Sequence, residues 1–457
     1  MTGKMSVLSA LMAMAILSGC GAMETSKKYR RLSVDEYVEK MKGGWVGQMA
    51  GVGWGEPTEF RYKARTIPEN EVPAWKPERV NAFGQDDLYV EMTFLHTLEK
   101  YGLDVSIRQA GIDFASSNYP LWHANRAGRD NLRRGIAPPD SGHPAFNEHA
   151  DDIDYQIEAD YSGLISPGLG NAAVELGEKF GRMMNYGDGV YAGQFVGAMY
   201  AEAFFEDDME RVVRGALEYI PPQSQYAGCI RDVLKWWKQY PDDWKKTWQQ
   251  VEAKYHRDPG YYRFRCAEGG KDFNIDAKIN GAYIVMGLLY GRGDMDKTII
   301  VSMSCGQDSD CNPSNAAGVL ATAIGYDDLD AGFKSALVMD RKFTHTPYDL
   351  DNLIRVCQQL ARKSVVRQGG RIERDGKGKE VLLIPVQKPR TSRFVQSWDP
   401  EPAANSRFTQ DQIDRFYYKG SGSESESVSV SVSTSEVFRV GACTSGIRAF
   451  LAADILK

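Results

Sequence analysis

Two pairs of aspartates could do chemistry in this chain: Asp86-Asp87, and Asp308 with Asp310 on either side of Ser309. Neighbouring carboxylates repel unless a positive charge neutralises them. Hard divalent cations such as Mg²⁺ or Ca²⁺ prefer oxygen ligands of this kind. On an extended loop, an i, i+2 pair can turn both side chains toward one site. Each pair also lies at a helix start, where aspartate suits the dipole and the caps. Taken alone, each therefore reads first as a helix start.

Such residues need a scaffold to bring them together. Ser33-Val34-Asp35-Glu36 has the pattern of a capping box opening a helix. Along that helix Gly43, Gly47, Gly51 and Gly55 recur at four-residue spacing. The spacing puts them on one face, where another backbone or a ligand can approach closely. Residues 56–60 read as a helix exit, and 61–84, with Pro68, Pro73 and Pro77, as irregular chain. A second helix is expected from about Asp86, with Leu88, Met92 and Leu95 on one stripe and Gly102 as its stop. The stretch 117–155, rich in Pro, His, Asn and Asp, reads as a long loop or lid.

Helical patterning returns at 190–206, at 209–219 and around Trp236, Trp237 and Trp244. It appears again at 277–290, stopped by Gly291, and from about Asp294 to Ser302. The tight loop 305–311 leads into Asn312-Pro313, read as an N-cap followed by proline at the first helical position. That helix runs to Gly325. Only 380–386 alternates like a strand, so the chain reads as all-α. Residues 366–419 read as a small irregular C-terminal extension. Residues 420–457 read as a low-complexity tail, with Ser, Glu and Val alternating over 423–435. A truncated accessory module or an altered reading frame would each fit its apolar end.

At the other end, Lys4, an apolar run over 8–17 and Leu17-Ser18-Gly19-Cys20 have the form of an export signal closed by a bacterial lipobox. The run is too short to span a bilayer comfortably. This reading makes 1–19 a lipoprotein signal peptide, Cys20 the lipidation site, 20–32 a linker and 33–365 the helical domain. A plain secretory signal with an incidental Cys20 is the alternative. The expected location is the bacterial cell envelope, periplasmic or outer-membrane, with the lipid as the only membrane attachment. The net charge of −6 over 457 residues argues against a nucleic-acid partner, which would need a basic face. The seven cysteines (20, 229, 266, 305, 311, 357 and 443) show no CxxC pair, so a zinc site of that kind has little support. An oxidising compartment permits pairing among them, with no assignment readable from spacing.

The run Gly44-Trp45-Val46-Gly47-Gln48 through Gly55-Glu56-Pro57-Thr58-Glu59-Phe60 resembles the opening helix of the ADP-ribosylglycohydrolase family. Gln85-Asp86-Asp87-Leu88 is similar to its first metal motif, Thr-Asp-Asp-Thr. Gly306-Gln307-Asp308-Ser309-Asp310-Cys311 is similar to its second, Gly-Gly-Asp-Thr-Asp-Thr. Order and separation match over roughly 34–326. The resemblance implies an all-α orthogonal multi-helix bundle with two cations, Mg²⁺ or Mn²⁺, in a cleft. It implies Asp86, Asp87, Asp308 and Asp310 as carboxylate ligands, with Gln85 in the place of a ligating Thr. Cys311 replaces the last Thr, and a thiol is a poor partner for Mg²⁺, which puts one of the two metal positions in question. Glu59 matches the family's flexible glutamate, which acts on the glycosidic bond or the attacking water.

Two departures bear on substrate. The family's Gly-Asn-Gly-Ala-Ala-Met-Arg segment, which holds nucleotide phosphates and ribose, corresponds to 160–167 here, and the Arg is missing. Gly187-Asp188-Gly189-Val190-Tyr191 stands where Thr-His-x-His is usual. The insert from His143 to Asp154 reads as a substrate selector or as a solvated loop. Glu56, Asp151, Asp152, Asn280 and Gly306 are the expected substrate-binding residues. The expected function is a metal-dependent glycohydrolase acting on an extracytoplasmic oligosaccharide or small glycoside. An ADP-ribosyl-protein hydrolase and a silent carbohydrate-binding lipoprotein are the competing readings.

Overall fold

The computed structural model describes residues 28–261 and 272–416. Residues 1–19, read above as a signal peptide, Cys20 and residues 420–457 lie outside the described residues, as do Cys266 and Cys443. The architecture is all-α, with many helices crossing one another, and one small sheet joining the two ends of the described chain.

The sheet is antiparallel. Glu380–Pro385 is its central strand, between Tyr29–Ser33 and Arg371–Arg374. The apolar run in the central strand buries Leu382 and Ile384 and supplies the pairing edge. Tyr29–Ser33 lies where the sequence reads as linker. Its own residues, YRRLS, carry too little alternation to announce a strand. After Pro385 the extension is irregular yet closely held. The Tyr191 hydroxyl donates to the Arg393 carbonyl at 2.8 Å, and Ala404 and Ser406 donate backbone N–H groups to Asp140 at 2.9 and 2.8 Å.

Helix Val34–Gly55 begins as expected, with Ser33 Oγ accepting from the Glu36 N–H. Of the four glycines at that spacing, Gly43, Gly47 and Gly51 face the backbone of helix Cys311–Ile324 and its exit, and Gly55 faces that of the loop before it. A Cβ on Gly43 or Gly47 would stand 2.5 Å from the carbonyl oxygen of Ala321 or Ala317. On Gly51 or Gly55 it would stand 2.2 Å from that of Pro313 or Ser309. Real side chains do not approach so closely, so this face admits only glycine if the two axes are to lie this near. The stripe is a helix-packing device along its whole length. Because Gly55 ends against Ser309, it also fixes where the 306–310 loop sits.

Helix Ala277–Gly291 is buried at every position, and helix Asp188–Ala203 at all but one. A helix apolar on all sides belongs inside a domain, and each fully buried Leu or Ile there contributes about 1.5–3 kcal/mol. The expected helix over 277–290 ends at Arg292, which takes a left-handed φ of 53°.

Two expectations are corrected. Residues 117–155 are not an open lid: helix His123–Arg133 forms within them, and His143, Asn147 and His149 are buried. Their polar side chains satisfy the backbone of neighbouring elements; Asn147, for example, donates to the carbonyls of Ala124 and Met184. The later helix starts at Cys311, with Asp310 as the flanking residue, and not at Pro313. Proline is tolerated anywhere in a first turn because those N–H groups have no intrahelical partner. Cys229, Cys305, Cys311 and Cys357 are buried free thiols. No helix among the described residues is long and apolar enough to cross a membrane.

Candidate functional site

The site is assembled where three chain segments converge. The end of the glycine helix is pinned to the 306–310 loop by Thr58, whose hydroxyl lies 2.7 Å from the Gly55 carbonyl and 2.8 Å from Ser309 Oγ. Phe60 N–H donates to the Gln307 carbonyl, and Gln307 N–H donates to the Tyr62 carbonyl, both at 3.0 Å. Glu59 is thereby carried beside Asp308. The loop can turn this sharply because Gly306 (φ 80°) and Gln307 (φ 58°) are both left-handed. For Gln307 that conformation costs about 1–2 kcal/mol. Its side chain is held by the Asn274 N–H and the Asp272 carbonyl, which stabilises the turn. Gly306 packs its bare Cα against the Tyr62 carbonyl, so its place here is structural.

The third segment is helix Asp86–Tyr101, which carries Asp86 and Asp87 in its first turn. The two aspartate pairs, more than 200 positions apart in the chain, meet here. Asp87 feels the charges of Asp86 and Asp310, Asp310 those of Asp308 and Asp86, and Asp308 those of Glu59 and Asp87. Both pairs lie at helix N-termini, whose partial positive charge offsets some of the repulsion. It does not remove it. Burial, then the neighbouring carboxylates, pushes Asp87 and Asp310 well above the usual carboxylate range. Asp308 is pushed up to about 8, mainly by burial.

Glu59 lies at the exposed mouth of this centre, beside exposed Glu56 and half-buried Gln85 and Asp86. Withdrawal from water among its neighbours, then the charges of Asp310, Asp86 and Glu56, raises its carboxyl to about 8. Deeper in, neither oxygen of Asp87 makes a full hydrogen bond, although the weak Cys311 thiol donor faces it. Asp308 Oδ1 is likewise unsatisfied. Asp308, Asp310 and Cys311 each offer a ligand atom, all within 4.8 Å of one another. Buried carboxylate oxygens without donors are what a cation would satisfy, so these residues fit a divalent metal.

Several contacts in and around the site go beyond what the sequence announces. Gln48 Nε2 and the Tyr161 N–H donate to Glu91 at 2.6 and 2.7 Å. Tyr200 and Asn315 each donate to Asp160 at 2.7 Å. These two buried carboxylates lie near enough to Asp87 for their charges to be felt there or to feel its charge. Glu91 lies one helical turn after Asp87 and Asn315 one turn after Cys311, so an i+4 search from each motif would have found both. Trp122 is also new: 55% exposed, it bonds the Asp86 carboxylate through its indole N–H. Asp154 holds the following helix by accepting from the N–H groups of Ala124 and Asn125 at 3.1 and 3.0 Å. An aromatic wall continues from Phe60 through Phe273 to His123, with ring centroids 5.1 and 5.7 Å apart.

Three of the expected substrate residues are not brought to the mouth. Asp151 is fully buried against Lys278 Nζ at 3.2 Å, in a cluster completed by Asp276 and Asp188. Asp152, equally buried, lies 2.5 Å from His149 Nδ1. Asn280 accepts from Asn312 at 2.8 Å in a buried network behind the metal-type loop. With no surface to offer, these three hold the framework. Residues 160–167, in the place of the family's nucleotide segment, are buried throughout. A cavity of about 520 Å³ between Asn171, Glu175, Lys179, Arg367 and Arg390 lies apart from this centre and includes none of Glu59, Asp86, Asp87, Asp308 or Asp310 in its lining.

The family model for ADP-ribosylglycohydrolase matches residues 33–368. Among solved structures, an ADP-ribosylglycohydrolase-related protein complex aligns with 72% of this chain and 99% of its own, at 14% identity and a TM-score of 0.47. No curated protein matches the chain. With nearly three quarters of its length matched by the family and both acidic motifs joined in one centre, the chain belongs to the ADP-ribosylglycohydrolase family.

Proposed function

We propose that this protein is a metal-dependent glycohydrolase that cleaves a glycosidic bond of a carbohydrate or glycoside outside the cytoplasm, anchored to the bacterial envelope through a lipid on Cys20. The observation that carries the reading is the convergence of Asp86, Asp87, Asp308 and Asp310 beside Glu59, a solvent-facing glutamate whose carboxyl is raised to about 8.

A bound Mg²⁺ or Mn²⁺ would orient sugar hydroxyls and polarise a water. Asp86 and Asp87, with Gln85 in the place of the family's Thr, would hold it on the all-oxygen side. Glycosidic cleavage builds an oxocarbenium-like transition state and needs a proton managed at the leaving oxygen or the water. Glu59 would do this, since a general acid or base works best with a pKa near the working pH. Glu56 lies at the same rim for contact with substrate hydroxyls. Trp122 presents an exposed indole face one hydrogen bond from Asp86, suited to the apolar face of a sugar ring. The buried 160–167 segment, without its Arg, speaks for a substrate other than ADP-ribose.

The test is hydrolysis of a panel of aryl glycosides with and without chelator. Chelation and Asp87→Ala should each abolish turnover, with the fold retained. Unchanged turnover in either would remove the proposal. Release of ADP-ribose from modified arginine or serine, with no glycoside cleaved, would favour the ADP-ribosyl-protein hydrolase instead.

A further inference from the structure

We propose that Cys311 is itself a metal ligand, and that the cation position it shares with Asp308 and Asp310 selects a borderline transition ion of the Co²⁺ or Zn²⁺ kind over Mg²⁺. The inference rests on reading the acidic centre as a metal site, and it assigns a different ion class to one half of it.

The placement of the thiol is the first argument. The other described cysteines behave as packing residues: Cys229 Sγ points at the Lys278 carbonyl at 3.3 Å, and Cys305 Sγ at the Val301 carbonyl at 3.2 Å. Cys311 alone among the described cysteines belongs to a cluster of potential metal-ligand atoms. Its Sγ lies 3.8 Å from Asp310 Oδ1, and it also faces Asp87 and Asp308. All three ligand-bearing residues are buried, with one ligand atom from each inside a 4.8 Å group.

The second argument is the unmet demand next to it. Asp308 Oδ1 and both oxygens of Asp87 are buried without a full hydrogen bond, and they belong to the same centre. A buried carboxylate left so costs stability unless a cation completes it. A cation does more for the thiol than for a hydroxyl in the same place. Binding breaks the S–H bond, forms an S–metal bond and releases one proton to solvent, with no change in oxidation state. The thiolate and two carboxylates then make a mixed S/O set. Thiolate is soft and favours Zn²⁺-like ions, whereas Mg²⁺ takes oxygen and keeps its waters.

The experiment is a titration of the chelator-treated full chain with Co²⁺, followed by absorption. One equivalent should produce a sulfur-to-cobalt charge-transfer band in the near ultraviolet. The band should vanish in Cys311→Ser, with Co²⁺ affinity lowered roughly ten- to hundredfold, the range over which even a supporting residue tunes a metal site. In the wild type, about a hundredfold excess of Mg²⁺ should leave the band in place, because oxygen-preferring ions compete poorly for sulfur. Cys311→Thr should lose the band and bind Mg²⁺ more tightly than the wild type does. Cobalt binding without the band, or a band that survives in both variants, overturns the inference. If either variant fails to fold, the wild-type spectrum and its resistance to Mg²⁺ still decide. The readout is binding, so it is separate from hydrolysis: an inactive protein with the band refutes the function and keeps the ligand, and an active one without it does the reverse.

Discussion

Stripped of metal, this protein should lose stability as pH rises, and added cation should restore it most where the loss is greatest. Asp308 and Glu59 move from the ordinary carboxylate range in the unfolded chain to about 8 in the folded one. The folded state therefore binds more protons than the unfolded state between about pH 4 and 8. Stability contributed by those protons is fully present below about pH 4 and is lost as pH climbs through 8. Asp87 and Asp310 are shifted in the same direction by burial and by each other's charge. Discounting Glu59 for its exposure and all four for mutual coupling, the swing is a few kcal/mol. A cation competes with those protons, so its effect grows across the same window. At a hundred times its Kd it adds about 2.7 kcal/mol. In a chain of this size that is roughly 3 °C in Tm. Thermal unfolding with chelator or with Mn²⁺ at pH 5 and pH 8 measures it. The expected result is a small metal effect at pH 5 and a shift of roughly this size at pH 8. A metal-free Tm that rises from pH 5 to 8, or a metal effect independent of pH, would refute the reasoning.

Three further outcomes follow from the geometry. Glu59→Gln should lower kcat by about 10²–10⁴, the usual worth of a general acid or base, while metal affinity from calorimetry stays within a fewfold of wild type. Gly51→Ala, which drives a methyl into the Pro313 carbonyl, should cost about 1–3 kcal/mol by overpacking, read as a lower denaturation midpoint with unchanged slope. Trp122→Ala should weaken glycoside binding by about 1–2 kcal/mol, in line with loss of an aromatic anchor, raising KM with little change in Tm; an unaltered KM would take the indole out of the substrate site.

The acidic motifs and the helices that carry them were legible because each is local. Asp86 begins a helix that Gly102 ends with φ 82°, and the glycine spacing announces one close-packed face. What the glycines pack against was not legible, since both a ligand and a backbone satisfy the same spacing. Long-range pairing was equally hidden: Tyr29–Ser33 becomes a strand only because Glu380–Pro385 offers it an edge. Asp151 illustrates the commonest misreading. A polar loop residue looks like a surface ligand until a lysine from another helix, here Lys278, neutralises it in the interior. Trp122 shows the reverse, because hydrophobicity suggests core while its indole faces solvent with only the N–H engaged.

The most direct test of the account is anomalous diffraction from crystals grown with Mn²⁺. It predicts density inside the centre that the two pairs form, held by Asp86 and Asp87 with Asp308 and Asp310 facing it. Density held by one pair alone, with the other turned away, would contradict it.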